Sequence, residues 1–458
     1  MPNRLFPGIL ILLLSWQTIP QQLTHPTSLE GLWLSDGYGL MVELKPDELQ
    51  TYELTSISCI ASRHAKPSDK TEGVSTVVFL SGSATIRITR TDDPNTLAMH
   101  TDGTASDIIL HRTSTRPGSC GRDQVNSPKE NYRIFWQTFA EQYPFFALHQ
   151  LDWHAVDKRF RPQVKAASTP TELFGILRQM VEPLQDTHTG LEAQEIAKEF
   201  DGWRNDPNHL EDKDWKKAAA IIESKYVHGP LKTFCKGHIQ VAILKNAIGY
   251  LRVTAFYDYA DGGYANQLRC LQQSLDTMFG EAKKLNGLII DVRLNNGGDD
   301  PLGIEIASRL TTKKYLAFTK AARNSTDPDA SIHLTPQQPT WVQPSQRPGF
   351  TGQIALLIGP DTVSAGETFT MALMGREPHV RRIGLSTQGV FSDVLNRSLP
   401  NGWRFHLPNE IYFTASGRAF DAVGVPPDVR VPFFDQEDLQ SGRDPALEKA
   451  IDWLTKPN

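Results

Sequence analysis

A serine at a predicted strand-to-helix corner is the first residue of this sequence that could do chemistry. Ile354–Ile358 is an apolar run typical of a buried strand, Gly359-Pro360-Asp361 ends it, and Thr368–Met374 shows helical apolar spacing. Ser364 lies between them, so its hydroxyl would stand clear of the sheet beside the unpaired N–H groups and positive dipole end of a helix. The alternative is a structural cap, in which Ser364 and Glu367 form a Ser-x-x-Glu capping box.

Two loops elsewhere in the chain could complete a site for acyl transfer, which needs a base and an oxyanion hole. Asn296-Gly297-Gly298 follows a predicted strand, and paired glycines allow backbone N–H groups to turn toward a neighbouring oxygen. A plain tight turn is the alternative. His188 lies in a short polar turn (Gln185–Gly190) after an amphipathic helix, where an imidazole can point into a cleft. Its alternative is a structural, hydrogen-bonded histidine.

The elements around these residues alternate between strand and helix. This alternation predicts a layered α/β core, which we place at residues 248–458. Short apolar runs predict its strands, and apolar residues at helical spacing predict its helices. The predicted elements are a strand at Ile248–Val253, a helix over Leu268–Leu285, a strand at Leu288–Val292, a helix at Ile304–Leu310, a broken strand segment at Val423–Val431 and a helix at Leu447–Leu454.

The first half of the chain has a different organisation. Residues 28–116 contain short predicted strands separated by turn residues, which favours a small antiparallel barrel or sandwich. No catalytic constellation occurs there, so a role in protein docking is left open. Residues 117–130 are predicted to be a linker, and residues 131–198 a helical subdomain that carries the His188 turn. The connecting region 199–247 has no assigned chemistry.

Composition excludes some function classes. The 458 residues are 39% hydrophobic and 22% charged with a formal net charge of −5, which is typical of a multidomain globular protein and shows no nucleic-acid footprint.

Arg4 precedes an apolar run (Leu5–Trp16) of signal-peptide length, so residues 1–27 are predicted to be a signal peptide and the protein to be exported, periplasmic or secreted. Because no Ala-x-Ala pattern follows, a retained membrane anchor is the alternative.

The four cysteines are compatible with two disulfides in an exported chain. They lie far apart without a Cys-x-x-Cys pair, which argues against a zinc site. We prefer the pairings Cys59–Cys120 and Cys235–Cys270, because each stays within one region of the chain. Free buried thiols are the alternative.

Four motifs resemble those of a known peptidase family. Leu288–Gly298 (LIIDVRLNNGG) and Thr362–Phe369 (TVSAGETF) resemble the two signature blocks of the C-terminal-processing, or tail-specific, serine peptidases. Asp186-Thr187-His188-Thr189 is similar to the Asp-x-His-Thr turn of the branch with the tricorn core protease and the interphotoreceptor retinoid-binding proteins. Gly424–Asp428 (GVPPD) resembles the family's closing block. The motifs occur in family order and span about residues 131–434.

The resemblance implies an α/β (α+β) multidomain protein with a core like that of the crotonases and Clp proteases. It implies that Ser364 is the nucleophile and that the oxyanion hole uses the N–H of Ala365 and of Gly297 or Gly298. The implied partner is a polypeptide substrate, and no cofactor or metal is expected.

Two departures from the family pattern refine this expectation. Tail-specific members place a lysine base after the serine, but Gly384–Val390 (GLSTQGV) contains no lysine. His188 is therefore the preferred base, as in the tricorn-like branch, where an acid before the closing block orients it. Asp421 occupies that position, with a surface turn residue as the alternative, and Thr187 is a further candidate relay.

The second departure is the absence of a recognisable PDZ domain, because the span from His188 to Ile248 is too short for one. Capture of a substrate's C-terminal carboxylate by strand addition to such a domain is therefore not expected. The leading hypothesis is an exported serine endopeptidase. A catalytically retired ligand-binding protein on the same scaffold and an esterase-like acyl hydrolase are the alternatives, and the oligomeric state is left open.

Overall fold

The computed structural model describes residues 29–68, 75–122, 124–204, 206–280, 284–324, 333–432 and 434–456. The predicted signal peptide, residues 1–27, lies outside this part of the chain. Within it, no helix is both long and apolar enough to cross a bilayer.

The N-terminal region forms a closed antiparallel barrel, so of the two predicted alternatives the barrel is confirmed. The barrel closes because its first strand pairs with both the second and the eighth. Buried and more exposed side chains alternate along β3 and β6, and Trp33, Leu49 and Ile88 fill the interior. The strands are β1 (Gly31–Ser35), β2 (Leu40–Lys45), β3 (Glu48–Leu54), β4 (Cys59–Pro67), β5 (Thr76–Ser81), β6 (Ala84–Arg90), β7 (Thr96–Thr101) and β8 (Ile108–Thr113).

The rest of the chain is mixed α/β, which confirms the predicted fold class. Its helices are α1 (Pro128–Gln142), α2 (Trp153–Phe160), α3 (Pro170–Val181), α4 (Asp212–Ile221), α5 (Tyr264–Phe279), α6 (Asp300–Ser308), α7 (Ala365–Ala372), α8 (Gln436–Ser441) and α9 (Pro445–Thr455). Its strands are β9 (Gly190–Ala193), β10 (Lys198–Asp201), β11 (Val227–Phe234), β12 (Ile239–Leu244), β13 (Ile248–Val253), β14 (Gly287–Asp291), β15 (Leu294–Asn295), β16 (Tyr315–Ala322), β17 (Gln338–Val342), β18 (Ile354–Ile358), β19 (Asp361–Thr362), β20 (Arg381–Gly384), β21 (Val394–Ser398), β22 (Arg404–Pro408), β23 (Glu410–Phe413) and β24 (Val429–Arg430).

A seven-stranded sheet is the centre of the core, with the strand order β11-β12-β13-β14-β18-β20-β24. The strands from β13 onward pair in parallel, and β14 and β18 are buried along their whole length because helices cover both faces. Leu275 and Phe369 pack on one face, Ala218 and Leu447 on the other. β11 and β12 come from the region that the sequence pattern left unassigned.

The helical subdomain joins the core through a second sheet, with the order β10-β9-β22-β21. α3 begins with a capping box, in which Thr169 and Glu172 bond each other's backbone N–H groups. The aromatic stripe of α1 is buried against this sheet, with Phe135 and Phe139 next to Phe405 of β22. The turn that carries His188 leads directly into β9, so this sheet brings the histidine to the core.

Parallel pairing also brings the Gly-Gly loop to the serine corner. β14 and β18 are neighbours, and their carboxyl ends lie side by side where Asp291 pairs with Leu357. The chain continues from these ends into β15 and β19, which pair in parallel through Asn295 and Thr362. Gly297 and Ser364 each follow two residues later and therefore meet at the same edge of the sheet.

Both preferred disulfide pairings are confirmed. Cys59 of β4 is bonded to Cys120, which follows the barrel, and Cys235 is bonded to Cys270 of α5. The first disulfide ties the barrel to the segment that leads into α1.

Candidate active site

The serine corner is a strained turn that several hydrogen bonds hold. Ser364 is half-buried and has φ +53° and ψ −119°, a conformation that costs a non-glycine residue about 1–3 kcal/mol. Its N–H donates to the carbonyl of Val390 (3.1 Å) and lies 3.3 Å from a carboxylate oxygen of Glu367. The N–H of Glu367 donates to the backbone carbonyl of Ser364 at 2.7 Å. Backbone groups and the Glu367 carboxylate therefore hold the start of α7.

Glu367 does more than cap the helix, which is all that the sequence indicated. It is fully buried and accepts hydrogen bonds from the Thr387 hydroxyl (2.5 Å) and from the N–H groups of Gly389 (2.6 Å) and Val390 (2.8 Å). Burial raises its pKa to about 7, and these hydrogen bonds oppose the rise. Glu367 thus joins the serine corner to the segment that lacks the family lysine.

The Gly-Gly loop lies directly against the serine. Gly297 has φ +80°, and a Cβ added to it would stand 2.6 Å from Ser364 Cβ and 3.2 Å from Ser364 Oγ. Its N–H donates to Asn295 Oδ1 at 3.0 Å and is therefore occupied. In the described part of the chain, no hydrogen-bond acceptor is found for the N–H of Gly298 or of Ala365. Of the two glycines that the sequence left open, Gly298 thus has the available donor.

The loop is held firmly on the segment after β13. Phe256 donates its N–H to Gly297 (2.7 Å), and its carbonyl accepts from Asp299 (2.8 Å). A Cβ on Gly298 would come within 2.3 Å of that carbonyl oxygen, so only glycine fits there. Donors fixed in this way need no reorganisation during a reaction, which is the main requirement of an oxyanion hole.

His188 is buried with one ring nitrogen unsatisfied. Its side chain is 9% exposed, its backbone N–H donates to Asp186 Oδ1 at 2.9 Å, and its Nδ1 has no partner within the described residues. Burial lowers its pKa to about 4, opposed by Asp393 and reinforced by His406. The imidazole is therefore neutral at neutral pH, as a general base must be. Among the described residues, no hydrogen bond joins the His188 ring to the Ser364 hydroxyl.

Asp421 is a buried residue rather than a surface turn residue. It is 6% exposed, and neither carboxylate oxygen has a hydrogen-bond partner among the residues that the structure describes. Burial raises its pKa well above the usual range, and the nearby carboxylates of Glu367 and Asp186 raise it further. Asp421 and His188 line the same cavity of about 170 Å³. The structure thus brings the predicted acid and base to one cavity without joining them by a hydrogen bond.

Asp186 is a second acid at this cavity. One oxygen accepts the backbone N–H of His188 and the other accepts the Tyr143 hydroxyl at 3.0 Å. Burial raises the pKa of Asp186 to about 6, against the effect of both hydrogen bonds. Its role in the structure is therefore to fix the backbone of the His188 turn.

Three further side chains hold the loops of the site: Thr187, which was predicted, and Arg204 and Asn295, which were not. The Thr187 hydroxyl donates to Gln388 Oε1 at 3.1 Å and so contacts the segment after β20. Arg204 donates to the carbonyls of Gln388 (2.5 Å) and Ala422 (2.9 Å), which ties the Asp421 segment down. Arg204 lies in the unassigned region and belongs to no motif. Asn295 could have been predicted, because asparagine commonly bonds the N–H two residues later.

Comparison with known proteins relates two segments to established families. Residues 247–431 match the model of Peptidase family S41, and residues 124–182 match that of the Tricorn protease C1 domain. The chain is 25% identical over 189 residues to a carboxy-terminal-processing protease of Bartonella bacilliformis, in a match covering 40% of this chain and 38% of the relative. It is 26% identical over 188 residues to the chloroplastic carboxyl-terminal-processing peptidase 2 of Arabidopsis thaliana, covering 40% of this chain and 32% of the relative.

The chain therefore spans well under half the length of these two curated relatives. Among solved structures, a candidate peptidase from Parabacteroides merdae superposes with a TM-score of 0.61 and 25% sequence identity, and the match covers 73% of this chain and 98% of that chain.

Proposed function

We propose that this chain is a serine endopeptidase that cleaves polypeptides through an acyl-enzyme on Ser364. Residues 247–431 match the model of peptidase family S41, the relationship expected from the motifs. One observation carries the proposal. The Gly297 backbone lies so close to Ser364 that a methyl group would not fit, and in the described part of the chain the N–H groups of the adjoining residues, Gly298 and Ala365, have no acceptor. A structural cap needs neither feature.

The proposed reaction begins with attack of Ser364 Oγ on the carbonyl carbon of a peptide bond. His188 accepts the hydroxyl proton and returns it to the nitrogen of the leaving amine, and water then hydrolyses the acyl-enzyme by the reverse sequence of proton transfers. The N–H groups of Gly298 and Ala365 donate to the oxyanion that forms in each half of the reaction. Asp421 stabilises the imidazolium when it ionises, because a positive charge that forms in the shared cavity favours the anionic form of the buried carboxyl group.

In this proposal, the missing hydrogen bond between Ser364 and His188 is a property of the unliganded protein. Catalytic hydrogen bonds are often long in unliganded enzymes and shorten when substrate binds. His188 Nδ1 and the Asp421 oxygens, which have no partners in the described part of the chain, are the groups that would form bonds in the substrate complex.

Cleavage of unfolded polypeptides tests the function. Purified protein and its Ser364→Ala variant are incubated with a reduced, alkylated protein, and fragments are identified by mass spectrometry. We expect fragments from the unmodified protein alone. Equal cleavage by both proteins would rule out the serine mechanism.

A retired ligand-binding protein is the second candidate, and the missing hydrogen bond between Ser364 and His188 is the observation that favours it. A fluorophosphonate probe separates the two, because only an activated serine is labelled. Labelling of Ser364 supports an enzyme, whereas no labelling together with a raised melting temperature in an apolar ligand supports the binding protein. Faster turnover of small esters than of peptides would support an acyl hydrolase.

We place the protein outside the cytoplasm, in the periplasm or secreted. The apolar run Leu5–Trp16 and two disulfides support this proposal, since disulfides persist in oxidising compartments. Fractionation of the producing cells, with sequencing of the mature N-terminus, tests export. It also distinguishes a cleaved signal from a retained anchor.

A further inference from the structure

A second, larger cavity lies between the barrel and the four-stranded sheet. Its volume is about 700 Å³. β3 and β4 of the barrel form one wall with Thr51, Glu53 and residues 61–63, and β21 forms another with Val394–Ser398. The family matches begin at residue 124, so the barrel wall belongs to a part of the chain that they do not cover.

β21 presents an unpaired edge to this cavity. In its sheet β21 pairs with β22 on one side and, among the described strands, with none on the other. The N–H of Ser398 points away from β22 and donates to Glu53 Oε2 of the barrel at 2.7 Å. Because the direction alternates along a strand, the N–H groups of Val394 and Asn396 point the same way. Neither has an acceptor in the part of the chain that the structure describes.

The segment that lines the candidate active site leads directly into the segment that lines this cavity. Gln388–Ser392 lines the small cavity with His188 and Asp421, and the next residues, Asp393–Ser398, line the large one. Asp393 and His406 of the large cavity are close enough to His188 to influence its pKa. A chain lying along β21 would therefore run toward the catalytic histidine.

The barrel is docked on the core by buried polar contacts. The Tyr38 hydroxyl donates to Glu410 at 2.6 Å, and the backbone N–H of Ser56 donates to Glu141 at 2.9 Å. Gln338 exchanges two hydrogen bonds with the backbone of Asp107. These contacts lie on several barrel loops, so they hold the barrel wall at a defined distance from β21.

The charges inside the cavity are largely paired with each other. Lys320 lies 2.6 Å from Asp393 and 3.1 Å from Glu410. Burial works against its charge, but the two carboxylates hold the pKa of Lys320 well above its usual value. The cavity thus offers no net charge of one sign to a ligand, and its groups without partners in the described residues include backbone N–H groups of the β21 edge as well as the side chain of Asn409 and Nε of Arg397.

We propose that an extended segment of the polypeptide substrate binds in this cavity as an added strand on β21, with the barrel as the opposite wall. Its main chain would exchange hydrogen bonds with Val394 and Asn396, and recognition would depend on an extended backbone more than on particular side chains. The inference rests on the proposed function for the identity of the ligand. It assigns the barrel a role in substrate binding.

Binding to the Ser364→Ala protein tests the inference without requiring catalysis. The probe is a fluorescein-labelled, reduced and alkylated polypeptide, and the readout is fluorescence anisotropy. Asn396→Pro removes one outward N–H from an edge strand, where proline is tolerated. We expect the Kd to rise by about tenfold or more. Glu199→Pro, on β10 at the other edge of the same sheet, is the matched control and should bind like its parent.

A second pair of variants tests the barrel wall independently of β21. Ala61→Trp fills the cavity from an exposed position on β4, and Ser83→Trp places the same side chain at an exposed turn of the barrel that does not line the cavity. We expect weaker binding for Ala61→Trp alone. Unchanged polypeptide binding in both Asn396→Pro and Ala61→Trp would overturn the inference. A protein that binds an apolar ligand but does not bind the polypeptide would also overturn it.

The outcome also separates this inference from the proposed function. If the polypeptide binds and the variants weaken it while Ser364 is never labelled by fluorophosphonate, the peptidase proposal fails and the binding cavity stands. The four cavity and control variants are also made with Ser364 intact. If Ser364 is then labelled and all four cleave polypeptides with equal kcat/KM, the peptidase proposal stands and the binding cavity fails.

Discussion

The serine corner and the histidine turn differ in how completely their polar groups are satisfied. Around Ser364 most backbone N–H groups are bonded, and among the described residues those of Gly298 and Ala365 have no acceptor. Around His188, a ring nitrogen and both oxygens of Asp421 are buried without partners in the described residues. Buried polar groups are nearly always hydrogen-bonded. One half of the site is therefore preorganised, whereas the other half holds buried polar groups that a substrate could bond.

The first and largest expected effect concerns the preorganised half. Gly297→Ala places a methyl group 2.6 Å from Ser364 Cβ at φ +80°, so the loop and the serine must separate. We expect kcat/KM for a peptide to fall at least about 1,000-fold, since loss of one oxyanion donor alone costs roughly 10²- to 10³-fold.

The control for this variant is Gly82→Ala, because Gly82 also has positive φ (+59°) but no atom within 4 Å of the added Cβ. It should retain wild-type kcat/KM. Equal losses in the two variants would mean that backbone strain, and not contact with Ser364, explains the result.

Replacing the base tests the other half. His188→Gln should lower kcat/KM roughly 10²- to 10³-fold. Because burial lowers the pKa of His188 to about 4, the unmodified protein should keep its activity from pH 8 down to about pH 5 and lose it as His188 gains a proton near pH 4. A pH profile of kcat/KM measures this limb. A limb near pH 6.5 would contradict the burial of the catalytic ring.

We expect Asp421 to have a kinetic role and Asp186 to have a structural one. Asp421→Asn removes no hydrogen bond of the described structure, so we expect kcat/KM to fall roughly 10- to 100-fold with little change in melting temperature. Asp186→Asn disturbs the bonds from Tyr143 and from the His188 backbone, and it should lower the melting temperature.

Melting curves and steady-state kinetics on both variants decide the assignment. If Asp186→Asn is stable and inactive while Asp421→Asn is fully active, Asp186 is the acid that orients the imidazole.

The smallest expected effect is a pH dependence of stability from Glu367. Its pKa is near 7 in the folded protein against an ordinary value of 4.5, so the folded state holds the proton more tightly. The contribution of protonated Glu367 to the free energy of unfolding is fully present below about pH 4.5, and it is lost as the pH rises through about 7. Glu367→Gln cannot ionise, so its free energy of unfolding relative to the unmodified protein should rise by up to about 3 kcal/mol between pH 4.5 and 7.5.

Urea unfolding at the two pH values measures this difference. Glu437→Gln, at an exposed carboxylate of α8, is the control and should show no such change. A constant difference between Glu367→Gln and the unmodified protein would show that Glu367 is already ionised in the folded state.

Local patterns were enough to predict much of this molecule. Apolar runs and turn residues predicted the strand before Ser364, the helix after it and the Gly-Gly loop, because period and turn chemistry are properties of neighbouring residues. The barrel strands were predicted for the same reason. Both disulfide pairings followed from the regions in which the cysteines lie.

Contacts between distant segments could not be predicted in this way. The sequence left Gly297 and Gly298 equivalent, and the side chain of Asn295 distinguishes them by occupying one N–H. It showed no role for Arg204, which acts on carbonyls more than 180 residues away. It left β11 and β12 unassigned, although they extend the central sheet.

The sequence by itself determined that a serine at a strand-to-helix corner, a Gly-Gly loop and a histidine turn were present, because each is encoded within a few residues. Only the tertiary structure decided that the first two touch, that the histidine and Asp421 share a cavity, and that the barrel faces the unpaired edge of β21. These relations depend on how sheets and helices pack across hundreds of residues, and burial, which shifts the pKa values of the site, exists only after that packing.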